Sequence, residues 1–225
     1  MKNSFAKKFT VCVFVGVFGF ALMACDDSSS GNNDSSDTAE PSSNGGASHE
    51  PSGIDYGSFS DGRDGQVYKT VIIGERTWMA ENLAIESGST RCVKYGCLYT
   101  WETARDACPE GWALPTDDDY KTLIELAGGE KKAGYVLKSK SGWNGTGNGS
   151  DGLGFSAFPA GFVNVDGDFE NEGNFAYFWS ATEYVGRTEA SSTTYAYALH
   201  VMSSDKAYLF NVLRGSAFSV RCIKG

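Results

Sequence analysis

An α+β fold is what this sequence predicts, and three observations carry it. Two helix-forming segments sit side by side between Tyr99 and Glu125, strand-like alternation dominates beyond Phe175, and glycine- and asparagine-rich loops separate the two regions. Strands, then helices, then long loops and further strands is the order of segregated elements, not of alternating βαβ units. With 5 Trp, 11 Tyr and 14 Phe in 225 residues, the chain has enough large side chains for one sizeable core.

The folded domain is expected to open at Asp61. Asp61-Gly62-Arg63-Asp64-Gly65 looks like a calcium loop but lacks the remaining ligands at the right intervals, so it reads as a turn. Val67, Lys69, Val71 and Ile73 alternate with Tyr68, Thr70 and Ile72, and Gly74-Glu75 turns the chain into Arg76–Met79, which predicts a hairpin. Thr100 is placed to cap a first helix whose apolar face is Trp101, Ala104, Ala107 and Cys108, with Pro109 and Gly111 ending it. Thr116 and Asp119 have capping-box spacing for a second helix, and Tyr120, Leu123, Ile124 and Ala127 form its buried stripe before Gly128-Gly129. Asp117, Asp118 and Asp119 read as first-turn residues facing the positive end of the helix dipole, not as a metal cluster.

Residues 130–168 read as a long irregular segment, and its 141–152 stretch is rich in glycine and asparagine. Loops this long within a compact domain tend to be functional. Beyond it, strands are predicted at Phe175–Thr182, Thr194–Val201, Lys206–Leu213 and Ala217–Ile223. In the second of these, Tyr195, Tyr197, Leu199 and Val201 share the face expected to be buried. His200, on the other face beside small residues, reads as a structural or surface histidine.

The N-terminal part is of a different kind. Met1–Ala24 has a lysine-bearing start and an apolar run from Val11 to Met23, the pattern of an export signal over residues 1–24. Leu22-Met23-Ala24-Cys25 resembles a bacterial lipobox, which makes Cys25 the expected lipidation site; a plain cleaved signal with a chance cysteine is the alternative. Residues 25–60 are rich in Ser, Gly, Asn and Asp, with no basic residue, and read as a disordered acidic tether. As a flexible coil it would span roughly 30–35 Å. The expected organisation is therefore signal 1–24, tether 25–60 and domain 61–225, exported and held on the bacterial outer membrane or cell surface.

A net charge of −9 without a basic stripe argues against a nucleic-acid partner. With His49 in the tether and His200 the only other histidine, zinc held by histidines is not expected. Cys12 leaves with the signal and Cys25 takes the lipid, so Cys92, Cys97, Cys108 and Cys222 remain. In an exported domain they imply two disulfides among three pairings.

Several short motifs occur in one order along the chain: Thr77-Trp78-Met79-Ala80-Glu81-Asn82-Leu83, Tyr95-Gly96, Leu98-Tyr99-Thr100-Trp101, Cys108-Pro109, Gly111-Trp112 and Leu114-Pro115. Phe155-Ser156-Ala157, Pro159-Ala160-Gly161, Phe178-Trp179-Ser180-Ala181-Thr182-Glu183 and Phe218-Ser219-Val220-Arg221-Cys222 follow. Together they resemble the Fibrobacter succinogenes major paralogous domain family, from about Asp64 to the C-terminus. The helix–Cys–Gly–Leu–helix run with a late cysteine is also similar to C-type lectin-like domains and to formylglycine-generating sulfatase modifiers. The resemblance implies two helices packed on antiparallel strands with long irregular loops. It also implies a Cys108–Cys222 bridge from the first helix to the last strand, leaving Cys92 and Cys97 to close a small loop. It implies no settled activity.

Functionally, the tether, the lectin-like resemblance and the long polar loop point to a non-catalytic surface binding module, for carbohydrate or another envelope or extracellular ligand. A structural or adhesive lipoprotein with an envelope-protein partner shares the same features. Trp143 and Asn144 are the first ligand-binding candidates: polar and glycine neighbours flank Trp143, whose ring would either stack on a sugar or anchor its own loop. Asp166, Asp168 and Glu170, with Asn164, have oxygens suited to calcium, although a hairpin turn is the favoured reading of them. The Glu-Pro-Asn and Trp-Asn-Asp triplets of calcium-dependent lectins are absent, and no resident cofactor is expected. No nucleophile elbow, HExxH or phosphate loop is present, so no catalytic residue is nominated, and an enzyme of unknown reaction stays as the least favoured alternative.

Overall fold

In the computed structural model, residues 53–188, 190 and 194–225 are described, all within one compact unit, Gly45–Gly225. The export signal, Cys25 and most of the tether lie outside the described residues. The tether's expected end at Ser60 is corrected: Tyr56–Ser60 is strand β1, paired antiparallel with β2 (Val67–Ile73). Polar composition hid it: three of its five residues are exposed, and β1 is ordered by the neighbouring strand's ladder together with the inward packing of Tyr56 and Phe59.

The architecture is mixed α+β, mostly antiparallel sheet with a few short helices. A small sheet runs β1-β2-β3-β12, with β3 at Arg76–Met79 and β12 at Ile223–Lys224. The hairpin expected between Val67 and Met79 is the centre of this sheet. Its alternation shifts phase at Thr70-Val71, so Val67 and Ile72 face solvent while Tyr68, Thr70, Val71 and Ile73 are buried.

The larger sheet is led by β8 (Phe175–Glu183), β9 (Tyr195–Met202) and β10 (Ala207–Leu213). A short strand, β11 (Ala217–Ser219), joins them to the hairpin of β4 (Arg91–Val93) and β5 (Gly96–Thr100), and β6 (Phe162–Val163) with β7 (Phe169–Glu170) hangs from β11. Only the β8–β11 contact among these strand pairs is parallel. The strand expected over Ala217–Ile223 is thus two strands, since Val220–Cys222 carries the chain from one sheet to the other. Leu83 N–H donates to Val220 O and Met79 N–H to Cys222 O along that crossing.

The helices agree with expectation in part. Helix α2 (Asp117–Leu126) starts on the predicted capping box: Thr116 Oγ1 accepts from Asp119 N, and the Asp119 carboxylate accepts from Thr116 N. Helix α1 is shorter than expected, only Trp101–Ala104. The hydroxyl of Thr100 faces Thr103 and does not cap, and beyond Ala104 the chain is drawn off by an Arg63 guanidinium that donates to Ala107 O. A third helix, α3 (Glu130–Leu137), occupies the first part of the expected loop. It carries Gly134 at its centre, where a Cβ would lie 2.5 Å from Lys206 O. Glycine there costs roughly 1 kcal/mol in helix propensity but allows α3 to lie against the turn leading into β10.

Helices α2 and α3 cover one face of β8–β10, burying Leu199, Val201, Ala207 and Phe178. The opposite face is covered by aromatic side chains, including Tyr177, Trp179 and Phe218. Burial on both faces explains why β9 is continuously buried from Ala198 to Val201 in place of the predicted one-sided alternation. His200 sits in that aromatic layer at 7% exposure, stacked on Tyr177. Its Nδ1 meets Tyr208 Oη, while its Nε2 has no partner among the described residues. Burial pushes its pKa down to about 4 from 6.5, so the unfolded chain takes up the proton first. Stability from this site is therefore complete above pH 6.5 and is lost as pH falls towards about 4. His200→Phe should flatten the melting temperature over that window relative to the parent; an unchanged acid slope would contradict the buried neutral ring.

Two disulfides are present. Cys92 and Cys97 face each other across β4–β5, and Cys108, beyond α1, is joined to Cys222 just before β12.

Candidate binding groove

The groove begins with a charge that the fold has buried. Arg221 lies between Val220 and Cys222 with no solvent exposure. Its Nε donates to Asn82 Oδ1 at 2.8 Å, Nη1 to the carbonyls of Met79 and Phe155, and Nη2 to Ser156 O at 2.7 Å. The guanidinium also lies over the rings of Phe155 and Phe178. Desolvation pushes its pKa down to about 10, still well above neutrality. Asn82 continues the network by donating to Tyr95 O and Ser219 Oγ. Arg221 and Asn82 together therefore lock β3, the turn of the β4–β5 hairpin, the 155–156 segment and the final crossing.

Two adjoining surface clefts open above this lock, with Glu81 and Phe158 common to both linings, and together they make up the candidate groove. The part of about 330 Å³ holds Lys94, Tyr95, Asn82 and Gln66. The part of about 230 Å³ holds Tyr56, Lys69, Lys140, Asp151 and Ser156. At the join, the rings of Tyr95 and Phe158 stack at 5.1 Å with an interplanar angle of 10°.

Local structure holds these groups firmly. Lys94 and Tyr95 form the tip of the β4–β5 hairpin, directly behind which Cys92 and Cys97 are bonded. The 141–152 loop presses on Tyr95: a Cβ on Gly142 (φ +98°) would come 2.6 Å from Tyr95 Oη. Asp151 (φ +50°) and Ser156 (φ +51°) both adopt the left-handed region, which costs a non-glycine residue about 1–2 kcal/mol. They are held there by each other, since Asp151 Oδ1 accepts from Ser156 N at 2.7 Å and Oδ2 accepts from the Ser156 hydroxyl.

The residues nominated from sequence are placed elsewhere. Trp143 is only 5% exposed and packs in the core beneath its loop, its Nε1 donating to Ala157 O at 3.0 Å and to Ser139 Oγ at 3.2 Å. It anchors the loop and presents no free face, which corrects its nomination as a ligand platform. Asn144 is exposed but braces the Gly173–Asn174 turn. Asp166, Asp168 and Glu170 belong to the β6–β7 hairpin: Asn164 Oδ1 accepts from the backbone N–H of Asp166 and Asp168, and Asn164 Nδ2 donates to Glu170 Oε1. The hairpin-turn reading accounts for them. None of these five residues lines the groove, and no group of three or more metal-ligating side chains occurs among the described residues.

The family model of the Fibrobacter succinogenes major domain matches residues 86–224. The chain belongs to that family. No curated protein and no solved structure matches it. The Fibrobacter succinogenes major domain match begins after the Thr77–Leu83 motif, yet Met79 and Asn82 from that motif are integral to the Arg221 network, so the folded body starts earlier than the match. The groove residues Tyr95, Phe158, Lys94 and Lys140 carried no catalytic or ligand-binding pattern in the sequence. The available signal was Arg221: a charge inside an apolar strand run marks a buried polar network.

Proposed function

We propose that this chain is a lipid-anchored envelope protein displaying a non-catalytic, lectin-like module whose groove binds carbohydrate. The observation that carries this reading is the stacked Tyr95–Phe158 pair set in a groove lined by amide, hydroxyl, carboxylate and ammonium groups. Sugars offer apolar ring faces and many hydroxyls, and a site that combines an aromatic surface with convergent polar groups matches both. The lectin-like assignment is supported by the bridge from the segment after α1 to the final strand and by helices laid on an antiparallel sheet. The hairpin disulfide and the Asp151–Ser156 lock favour a preformed groove, which lowers the entropic cost of binding.

Glycan-array binding of the full-length protein tests the reading. Tyr95→Ala and Phe158→Ala should each weaken a glycan hit by tenfold or more, or about 1.4 kcal/mol, while leaving the melting temperature within a few degrees. Absence of any glycan binding, with an envelope protein recovered on the same surface, would replace carbohydrate by a protein partner. The anchor rests on Leu22, Ala24 and Cys25 and on the acidic segment that follows. Cys25→Ser should abolish incorporation of labelled palmitate and release the protein from membranes; retained label would refute the anchor.

A further inference from the structure

We infer that the glycan taken by this groove is acidic, a uronate-type polymer whose carboxylate is met by Lys94 and Lys140. The inference rests on the carbohydrate reading above and narrows its ligand class. The protein as a whole is strongly acidic, with 28 Asp and Glu against 19 Lys and Arg. In the folded domain, Arg63, Arg76, Arg105, Lys121 and Arg214 each reach a neighbouring carboxylate. Lys94 and Lys140, like Lys131, Lys132, Lys206 and Lys224, are exposed and not ion-paired among the described residues, and of these six only Lys94 and Lys140 line the groove. They border the two parts of the groove, on either side of the aromatic join, and Lys94 Nζ lies 5.0 Å from the Tyr95 ring centroid.

The carboxylates in the lining are committed differently. Asp151 accepts two hydrogen bonds from Ser156, and Glu81 Oε2 accepts from Lys69 N at 2.7 Å. They leave the two ammonium groups to face the ligand. No arginine lines the groove, and the Arg221 guanidinium beneath donates to Asn82 and three carbonyls. Separate lysines act as point charges, suited to single anionic groups spaced along a chain. A singly charged carboxylate spaced along a sugar chain also tolerates Glu81 and Asp151 nearby better than a phosphate-monoester dianion would. A uronate residue would stack its ring on the aromatic pair and set its carboxylate against an ammonium group.

Binding of the full-length protein to polygalacturonate and alginate, each beside its carboxyl-reduced counterpart, tests this, with dextran sulfate as a second anion. The uronate polymers should bind at least tenfold more tightly than their reduced forms, with affinity falling as salt rises. K94Q/K140Q should lower uronate affinity to that of the reduced polymers without moving the melting temperature. Equal binding of charged and reduced polymers, or no loss in the double variant, would overturn the acidic ligand and leave the carbohydrate reading intact. Tighter binding of dextran sulfate would overturn the carboxylate assignment. Failure of every glycan, reduced or not, would remove both.

Discussion

Removing the bridge between Cys108 and Cys222 is expected to lower stability by about 4–5 kcal/mol, the chain-entropy value for a loop of this length. The two cysteines are 114 residues apart in sequence, so the unfolded chain gains most of its freedom when this bond is lost. The loop it closes contains α2, α3, the 141–158 segment and β6 to β11 of the large sheet, while the β4–β5 hairpin lies outside it. Helix α1 has only four residues and lacks a side-chain cap, so besides the bridge that end of the loop is held by the Arg63–Ala107 hydrogen bond and the packing of Trp112 on Phe59. Urea denaturation of Cys108→Ser/Cys222→Ser measures the effect. A loss below about 1 kcal/mol would mean that packing alone pins the ends. The Cys92–Cys97 bridge closes a far smaller loop, sequence separation 5, and should contribute about 2 kcal/mol by the same relation.

Arg221→Met is expected to cost about 3–5 kcal/mol, although it places an apolar side chain of similar length in an apolar position. Replacing both members of a buried ion pair by hydrophobic residues is often neutral. Here the partners are the carbonyls of Met79, Phe155 and Ser156 and the side chain of Asn82, and the three carbonyls cannot be mutated away. Those of Met79 and Phe155 would each lose a buried donor, at about 1–3 kcal/mol apiece before relaxation, whereas that of Ser156 is only partly buried and can turn to water. The groove should suffer with the fold, since Asn82 also holds Tyr95 O. Equilibrium unfolding and glycan binding of the same variant check both effects. Parent-like stability would show that water replaces the guanidinium without loss.

Local chemistry made some of this readable from sequence and tertiary context concealed the rest. The capping box of α2 is written in four consecutive residues, Thr116 to Asp119, and needs no distant partner to form. Helix α3 was hidden because Gly134 reads as a helix breaker unless the backbone at Lys206 is known to press on it. Trp143 looked exposed because its sequence neighbours are polar, but its loop folds over the ring and supplies Ser139 Oγ and Ala157 O to the indole N–H. Local composition reports on the loop's surface and not on where a single side chain points. The groove was invisible for a related reason: Tyr95 and Phe158 are 63 positions apart, and only the fold stacks them.

Hydrogen–deuterium exchange of the full-length protein, with and without a bound glycan, tests the assignment of the groove most directly. Ligand-induced protection is predicted at 91–97 and at 140–158, the two segments that carry Lys94, Tyr95, Lys140 and Phe158. Protection confined to the Asn164–Asp168 turn, or to the β8–β10 sheet, would place the ligand elsewhere and contradict the account.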